Sequence, residues 1–431
     1  MPRQVAGKVA CSGFETSGKK PGILGMVFST RMLVAFIMGY ASGLPLLLTL
    51  SVLQAWMKDE GVDLAVIGMM ALVGLPYTLK FVWAPFMDRF TLFRMGRRRG
   101  WLLILQICLM GAIVFLGFSD PAGHPWGIAV AAFAVTFFSA SQDIVIDAYR
   151  REDLSDAELG LGASFYINGY RIGMLLASGG GLIMADHIGF RAVYLIMAAC
   201  LLPAVLTTLM AKEPGVPEGT PKTLKEAVIE PLTEYFRRKE ALWILAFILL
   251  YKIGDTMASA MTTPFYLDIG FTKTQIGAVV KLFGFWATVF GSLLGGLVML
   301  RLGIVRSLWV FGIFQALSTA GFAVLARIGS SVAALSGVIA FENLSSGMGT
   351  AAYAAFMASI TNKKFTATQY ALLSSLMGVP RVLASAPTGF LAKHMGWVHF
   401  FIACTLIAIP GMLLLLKSAS WSAGRQEVQS A

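Results

Sequence analysis

Phe137-Phe138-Ser139-Ala140-Ser141-Gln142-Asp143-Ile144-Val145-Ile146-Asp147-Ala148-Tyr149-Arg150 closes a hydrophobic segment that starts near Pro125. Ser139, Asp143 and Asp147 are spaced four apart, so on a helix they stack on one face of an otherwise apolar span. A carboxylate near the middle of a membrane helix costs about 2.5–3.5 kcal/mol on insertion scales. That face must meet a partner or a wet cavity rather than lipid. The stretch therefore predicts an all-α membrane protein with a polar interior, and function is expected on this face.

Composition agrees. Of 431 residues, 57% are hydrophobic and only 13% charged, with a mean hydropathy of +0.74, against roughly a quarter charged in a soluble domain. The net charge of +11 sits in short loops between apolar spans, which argues for membrane orientation and against a nucleic-acid partner. Cys11, Cys108, Cys200 and Cys404 are scattered without metal-type spacing, and three of them fall inside spans, where they read as small packing residues. His124, His187, His394 and His399 form no HExxH motif, and no phosphate-binding GxxxxGK[ST] loop occurs. No enzyme, metal site or cofactor is expected, and a secondary transporter is favoured over an ATP-driven pump.

Twelve spans are predicted, near 29–54, 64–86, 101–118, 125–148, 160–184, 190–211, 241–265, 274–300, 307–327, 331–358, 367–391 and 397–416. The N-terminal tail, the even-numbered loops, the central linker and the C-terminal tail hold 24 Lys and Arg against five in the odd-numbered loops. Both termini should therefore be cytoplasmic. The expected organisation is a tail over 1–28, a six-helix bundle over 29–211, a polar linker over 212–240, a second six-helix bundle over 241–416 and a tail over 417–431. The halves echo each other. Ala185-Asp186-His187-Ile188-Gly189-Phe190 returns as Ala392-Lys393-His394-Met395-Gly396-Trp397, Arg171 as Arg381, and the Arg89 turn as the Arg301 turn, at offsets of 207, 210 and 212. Ordered matches at a nearly constant offset indicate an internal duplication, as in transporters whose site lies between two repeats.

The turn Asp88-Arg89 followed by Gly96-Arg97-Arg98-Arg99 resembles the signature between the second and third helices of the major facilitator superfamily, with Ala84 in place of its first glycine. The second-half copy, Gly296 through Leu300-Arg301-Leu302-Gly303, lacks the acid. The resemblance implies that Asp88, Arg89, Gly96, Arg97, Arg98 and Arg301 belong to a cytoplasmic gate, fully functional only in the first copy. Tyr40-Ala41-Ser42-Gly43-Leu44-Pro45, Gly74-Leu75-Pro76-Tyr77-Thr78-Leu79-Lys80, Ser141-Gln142-Asp143 and Asn168-Gly169-Tyr170-Arg171 are similar to the AmpG-type muropeptide permeases within that superfamily. What this implies is proton-driven import of N-acetylglucosaminyl-1,6-anhydro-N-acetylmuramic acid and its peptides across a bacterial inner membrane.

The residues themselves point to a charged interior. Nine ionisable residues lie within the spans: Lys80, Asp143, Asp147, Arg171, Lys252, Asp255, Lys281, Glu342 and Arg381. Unpaired and facing lipid, they would cost about 25 kcal/mol, more than the whole stability of a typical protein. Asp143 or Asp147 is expected to pair with Arg171, and Lys252 with Asp255 three residues on. Each pair reads either as a structural ion pair or as a carboxylate whose proton affinity follows the movement of a cation. Asp143 leads the proton-coupling candidates, followed by Glu342, Asp147 and Asp255. Lys80, Arg171, Lys252, Lys281 and Arg381 suit an anionic cargo. Gln142, Asn168 and Asn343 offer amides to a sugar, and Tyr40, Tyr77, Tyr251 and Trp286 offer flat faces. Two alternatives stay open: an exchanger of another metabolite or drug on the same architecture, including acetyl-CoA-like substrates, and a non-transporting sugar sensor. A monomer in the bilayer is expected.

Overall fold

The computed structural model describes residues 23–62, 66–67, 70–92, 95–215, 223–238, 240–272, 275–384 and 387–417, and among these all regular structure is helical. Among the described residues, eight stretches are long and apolar enough to cross a bilayer. The longest, Leu159–Met210, has 52 residues, about twice the length one crossing needs. It is broken at Gly189, where φ is 74° and ψ 157°, a left-handed backbone that glycine adopts at little steric cost. Gly396 breaks the Thr388–Leu413 helix in the same way, at φ 72° and ψ 160°. The sequence places loops over 185–189 and 392–396; in each case the helix instead continues to a single glycine.

Prolines shape the first two spans. The helix Thr30–Leu47 starts on Ser29, whose Oγ accepts the Met32 N–H at 3.4 Å, and runs through a π-turn, Leu48–Val52, into Leu53–Asp59. Pro45 inside it has no N–H to give the Ala41 carbonyl four residues back. The side-chain amide of Gln142 supplies that bond at 3.1 Å. The second span is not one continuous helix. It is a chain of short pieces, Met70–Gly74, Leu75–Leu79, Lys80–Val82 and Ala84–Arg89, because Pro76 and Pro85 each remove a helical donor and restrict the residue before them.

Two further boundaries differ from expectation. The helix expected to end near 148 runs from Pro125 to Asp153, carrying Arg150, Arg151 and Glu152 on its last turns. The polar central linker contains a helix, Leu224–Arg237, opened by a capping box in which Thr223 Oγ1 accepts the Glu226 N–H and the Glu226 carboxylate accepts the Thr223 N–H.

Small residues set the closest helix contacts. Thr30–Leu47 lies along Leu159–Leu175 with backbones touching, so that a Cβ on Gly169 would collide with the Phe36 carbonyl and one on Gly43 with that of Tyr170. Leu159–Leu175 also packs on Gly284–Leu302 from the second half. There, a Cβ on Gly296 would collide with the Ser164 side chain, and one on Gly160 would come 2.8 Å from the Met299 Cβ.

Candidate functional site: a charged interior and an inter-half latch

The Pro125–Asp153 helix presents its polar face inward. Ser139 is fully buried and accepts the Tyr77 hydroxyl at 2.9 Å; Ser141 accepts the Trp83 indole N–H at 2.9 Å. Irregular backbone at the second span is thus braced against this face. One oxygen of Asp147 lies 4.0 Å from Lys80 Nζ and the other 3.2 Å from Arg150 Nη2. Arg150 reaches across to the second half, donating to the Tyr370 hydroxyl at 2.9 Å, with the Tyr166 ring 4.8 Å from its guanidinium. Its Nε and Nη1, and Oδ1 of Asp143, are buried without hydrogen-bond partners. A buried polar atom left without a partner is costly.

A second charged group spans both halves. Lys252 bonds Asp255 at 3.4 Å and Thr350 Oγ1 at 3.0 Å. Asp255, Lys252 and Arg171 all act electrostatically on Glu342. Among the described residues Arg171 makes no ion pair with Asp143 or Asp147; Asp147 is held between Lys80 and Arg150, and the carboxylate whose charge acts on Arg171 is Glu342 of the other half. Helix neighbours in sequence are expected to meet; here Thr30–Leu47 packs against both helices, and the second span delivers Lys80 to Asp147 instead.

Several amide and aromatic candidates are occupied locally. Asn168 donates to the Ser164 carbonyl at 2.9 Å; Asn343 donates to the Ile339 carbonyl at 3.0 Å and accepts Thr288 Oγ1 at 2.8 Å. Tyr251 is buried, donates to the Leu308 carbonyl at 2.9 Å and stacks on Tyr353, so it packs helices and does not offer its face to a ligand. Lys281 and Trp286 are exposed on the helices Ile276–Phe283 and Gly284–Leu302, and Tyr40 is half-buried. Arg381 sits in the helix Gly378–Leu383, its side chain outside the described residues.

The gate residues form a buried lock where the two halves meet. Arg98, fully buried, donates to Asp88 Oδ1 at 2.7 Å, to Glu152 Oε1 at 2.6 Å and to the Met87 carbonyl at 3.0 Å. Arg97 adds a bond to Glu152 at 2.9 Å. Asp88 in turn accepts the backbone N–H groups of Ala367 and Thr368 and the Thr368 hydroxyl. It thereby caps the first turn of the Thr366–Leu376 helix, where orphan N–H groups and the helix dipole favour an anion. At Gly96, φ is 108°, and a Cβ would collide with Glu213, whose carboxylate accepts the Arg98 and Arg99 N–H groups at 2.7 and 3.0 Å. Two expected members stand apart. Arg89 lies over the Phe90 ring, 5.5 Å from its centroid, and Arg301 is exposed.

Arg150, Glu152, Tyr166, Thr368 and Tyr370 escaped the sequence reading. Arg150 was legible in part, standing three residues beyond Asp147 on the same helical face. The partners on the Thr366–Leu376 helix were not, because nothing local marks a tyrosine or threonine that meets a charge more than two hundred residues away.

The Major Facilitator Superfamily model matches residues 31–385. The chain is 44% identical over 388 residues to the anhydromuropeptide permease of Escherichia coli strain K12, covering 90% of this chain and 79% of that one. It is 32% identical over 396 residues to the putative transporter AmpG 4 of Rickettsia felis, covering 90% and 96%. Among solved structures, the proton:xylose symporter XylE superposes with a TM-score of 0.64 at 13% identity, covering 91% of this chain and 96% of that one, a likeness of fold alone. The inter-half lock built on Asp88, Arg98 and Glu152, the paired charges inside the bundle and these relatives agree, and the chain belongs to the AmpG-type permeases of the major facilitator superfamily.

Proposed function

We propose that this protein is a multi-pass inner-membrane carrier, not an enzyme, that imports anhydromuropeptides by alternating access with protons as the driving ion. The observation that carries the substrate class is the 44% identity over 388 residues with the Escherichia coli anhydromuropeptide permease. In this proposal the chain makes twelve crossings in two six-helix bundles, 29–211 and 241–416, joined by 212–240, with both termini cytoplasmic and the monomer as the working unit. Alternating access fits a molecule whose halves are tied on one face by Asp88 and Thr368. Rocking of the halves would exchange that lock for a closure on the other face.

Lys80, Arg150, Arg171 and Lys252 are the cations that would meet the cargo's carboxylates, and Asp143, Asp147, Asp255 and Glu342 the carboxylates that would carry or release protons. A cation that moves between a substrate carboxylate and a protein carboxylate changes the latter's hold on its proton, which is how binding and protonation become linked. Uptake of labelled N-acetylglucosaminyl-1,6-anhydro-N-acetylmuramic acid and its tripeptide into proteoliposomes, with and without an inward proton gradient, tests the reading. Gradient-stimulated uptake by the parent, lost in Asp143→Asn with binding retained, is the expected result. Binding without uptake by the parent would overturn the carrier assignment, and no binding of either sugar would overturn the substrate.

A further inference from the structure

The Leu224–Arg237 helix of the central segment divides its described side chains into three sectors. Pro231 and Tyr235, four residues apart, are buried against the protein, flanked by Glu234, which pairs with Arg238 at 2.7 Å. Glu230 and Arg237, seven apart and so two turns along one line, are exposed and charged. Ile229 and Phe236, also seven apart, are 50% and 54% exposed, and Val228, 40% exposed, stands between this line and the buried one. At 3.6 residues per turn these three lines stand roughly 120° from one another. The third line is apolar yet faces away from the protein.

The depth of the helix identifies the third medium. Each anchor that holds it lies at the end of one of the spans expected from the sequence. Arg238 donates to the carbonyl of Ile360, the last residue of Val332–Ile360, at 2.8 Å. Gln369, on the first turn of Thr366–Leu376, donates to the Pro231 carbonyl at 3.1 Å. It also packs on Ala84–Arg89, the last piece of the second span. The next helix, Ala241–Leu250, begins four residues after its end with Leu242 72% exposed and Trp243 42% exposed, an aromatic at the position of the interfacial belt. The helix thus lies in the plane where these expected spans end.

We propose that Val228, Ile229 and Phe236 are embedded in the headgroup and acyl boundary of the leaflet in which these helix ends lie, making the central segment a lipid-anchored strut. Interfacial amphipathic helices bury an apolar face about 5–10 Å into that boundary while keeping charge in water. Because the strut's opposite side grips Gln369 and Ile360, next to the Asp88 lock, it holds the inner edge of the second half at a set depth whichever way the halves rock. This inference rests on the membrane architecture and is independent of the substrate.

Spin labels placed singly at Ile229→Cys, Phe236→Cys, Glu230→Cys and Arg237→Cys test it. The background lacks Cys11, Cys108, Cys200 and Cys404, and the protein is reconstituted in phosphatidylethanolamine/phosphatidylglycerol vesicles. Labels at 229 and 236 are expected to collide several-fold more with oxygen, which concentrates in lipid, than with a water-soluble nickel chelate, and labels at 230 and 237 the reverse. Equal nickel access at all four sites would overturn the proposal. So would labels at 229 and 236 shielded from both reagents and broadened by spin–spin coupling, the sign of a second copy covering this face.

Discussion

Asp88 of the first half holds Thr368 of the second with two bonds, accepting its backbone N–H and its hydroxyl at 2.8 Å each on one carboxylate oxygen, while the other oxygen takes Arg98. One carboxylate thus serves as counter-ion to a fully buried arginine and as cap to a helix that must move away when the halves part. Asp88→Asn removes the charge that both functions use. Breaking a buried ion pair from one side costs about 3–5 kcal/mol, so the locked arrangement should lose most of its population. Electron-electron distance measurements between labels at Arg89 and Lys364 should show a longer component in Asp88→Asn and a smaller shift in Thr368→Val. Identical distributions in parent and both variants would show that the lock carries no weight.

Arg150 and Tyr370 form a second tie between the halves, and Asp147 is the carboxylate that Arg150 pairs with. Tyr370→Phe deletes a hydrogen bond to a charged group, worth about 1.5–3 kcal/mol. Asp147→Asn leaves Arg150 buried without its counter-ion. Because both changes act through one guanidinium, their effects on thermal stability in detergent should fall short of additive by a measurable coupling. Simple additivity would mean that Asp147 does not govern the tie.

Gly296 and Ser164 leave no room for a Cβ between the halves. Gly296→Ala should therefore oppose the closely packed state by about 1–3 kcal/mol, the usual cost of overpacking, without harming either bundle internally. Uptake should fall while the purified variant remains monodisperse and melts as a folded protein. Gly169→Ala is the contrast: its clash with the Phe36 carbonyl lies within the first half, and that variant should lose folded yield instead.

Glu158 lies in the turn before Leu159–Leu175, where Arg31 donates to it at 3.0 Å and Ser155 donates both its N–H and its hydroxyl. Burial alone would raise its carboxyl, but the Ser155 bonds and the Arg31 charge outweigh burial and hold it below its ordinary value. A carboxylate depressed in the folded state stabilises it fully above the ordinary pKa of about 4.3, and that contribution is lost as pH falls through the lower folded value. The group is close to solvent, so the effect should be small, about 0–1 kcal/mol. Glu158→Gln should melt slightly below the parent at neutral pH, with the gap closing only in acid below the ordinary carboxylate range. A gap that persists unchanged into strong acid would assign the effect to packing.

Much was legible in the sequence because a bilayer imposes rules that act locally. Hydrophobic length defines spans, and the energy of burying charge requires that Asp143, Asp147, Lys252, Asp255 and Glu342 avoid lipid. Repetition does the rest: Gly189 and Gly396, 207 residues apart, take the same positive φ. The motif around Asp88 and Arg98 was likewise readable, since its residue types and spacing are themselves the signal.

What only the tertiary structure decided is who meets whom. Arg150 finds Tyr370, Asp88 finds Thr368, and Gln142 spends its amide on the carbonyl that Pro45 leaves unbonded. These are contacts between helices far apart in the chain. Their geometry depends on how the irregular second span and the glycine-lined faces allow whole helices to approach. Local sequence sets each helix and its polar face; the identity of the partner across the interior is settled only when all the faces are packed together.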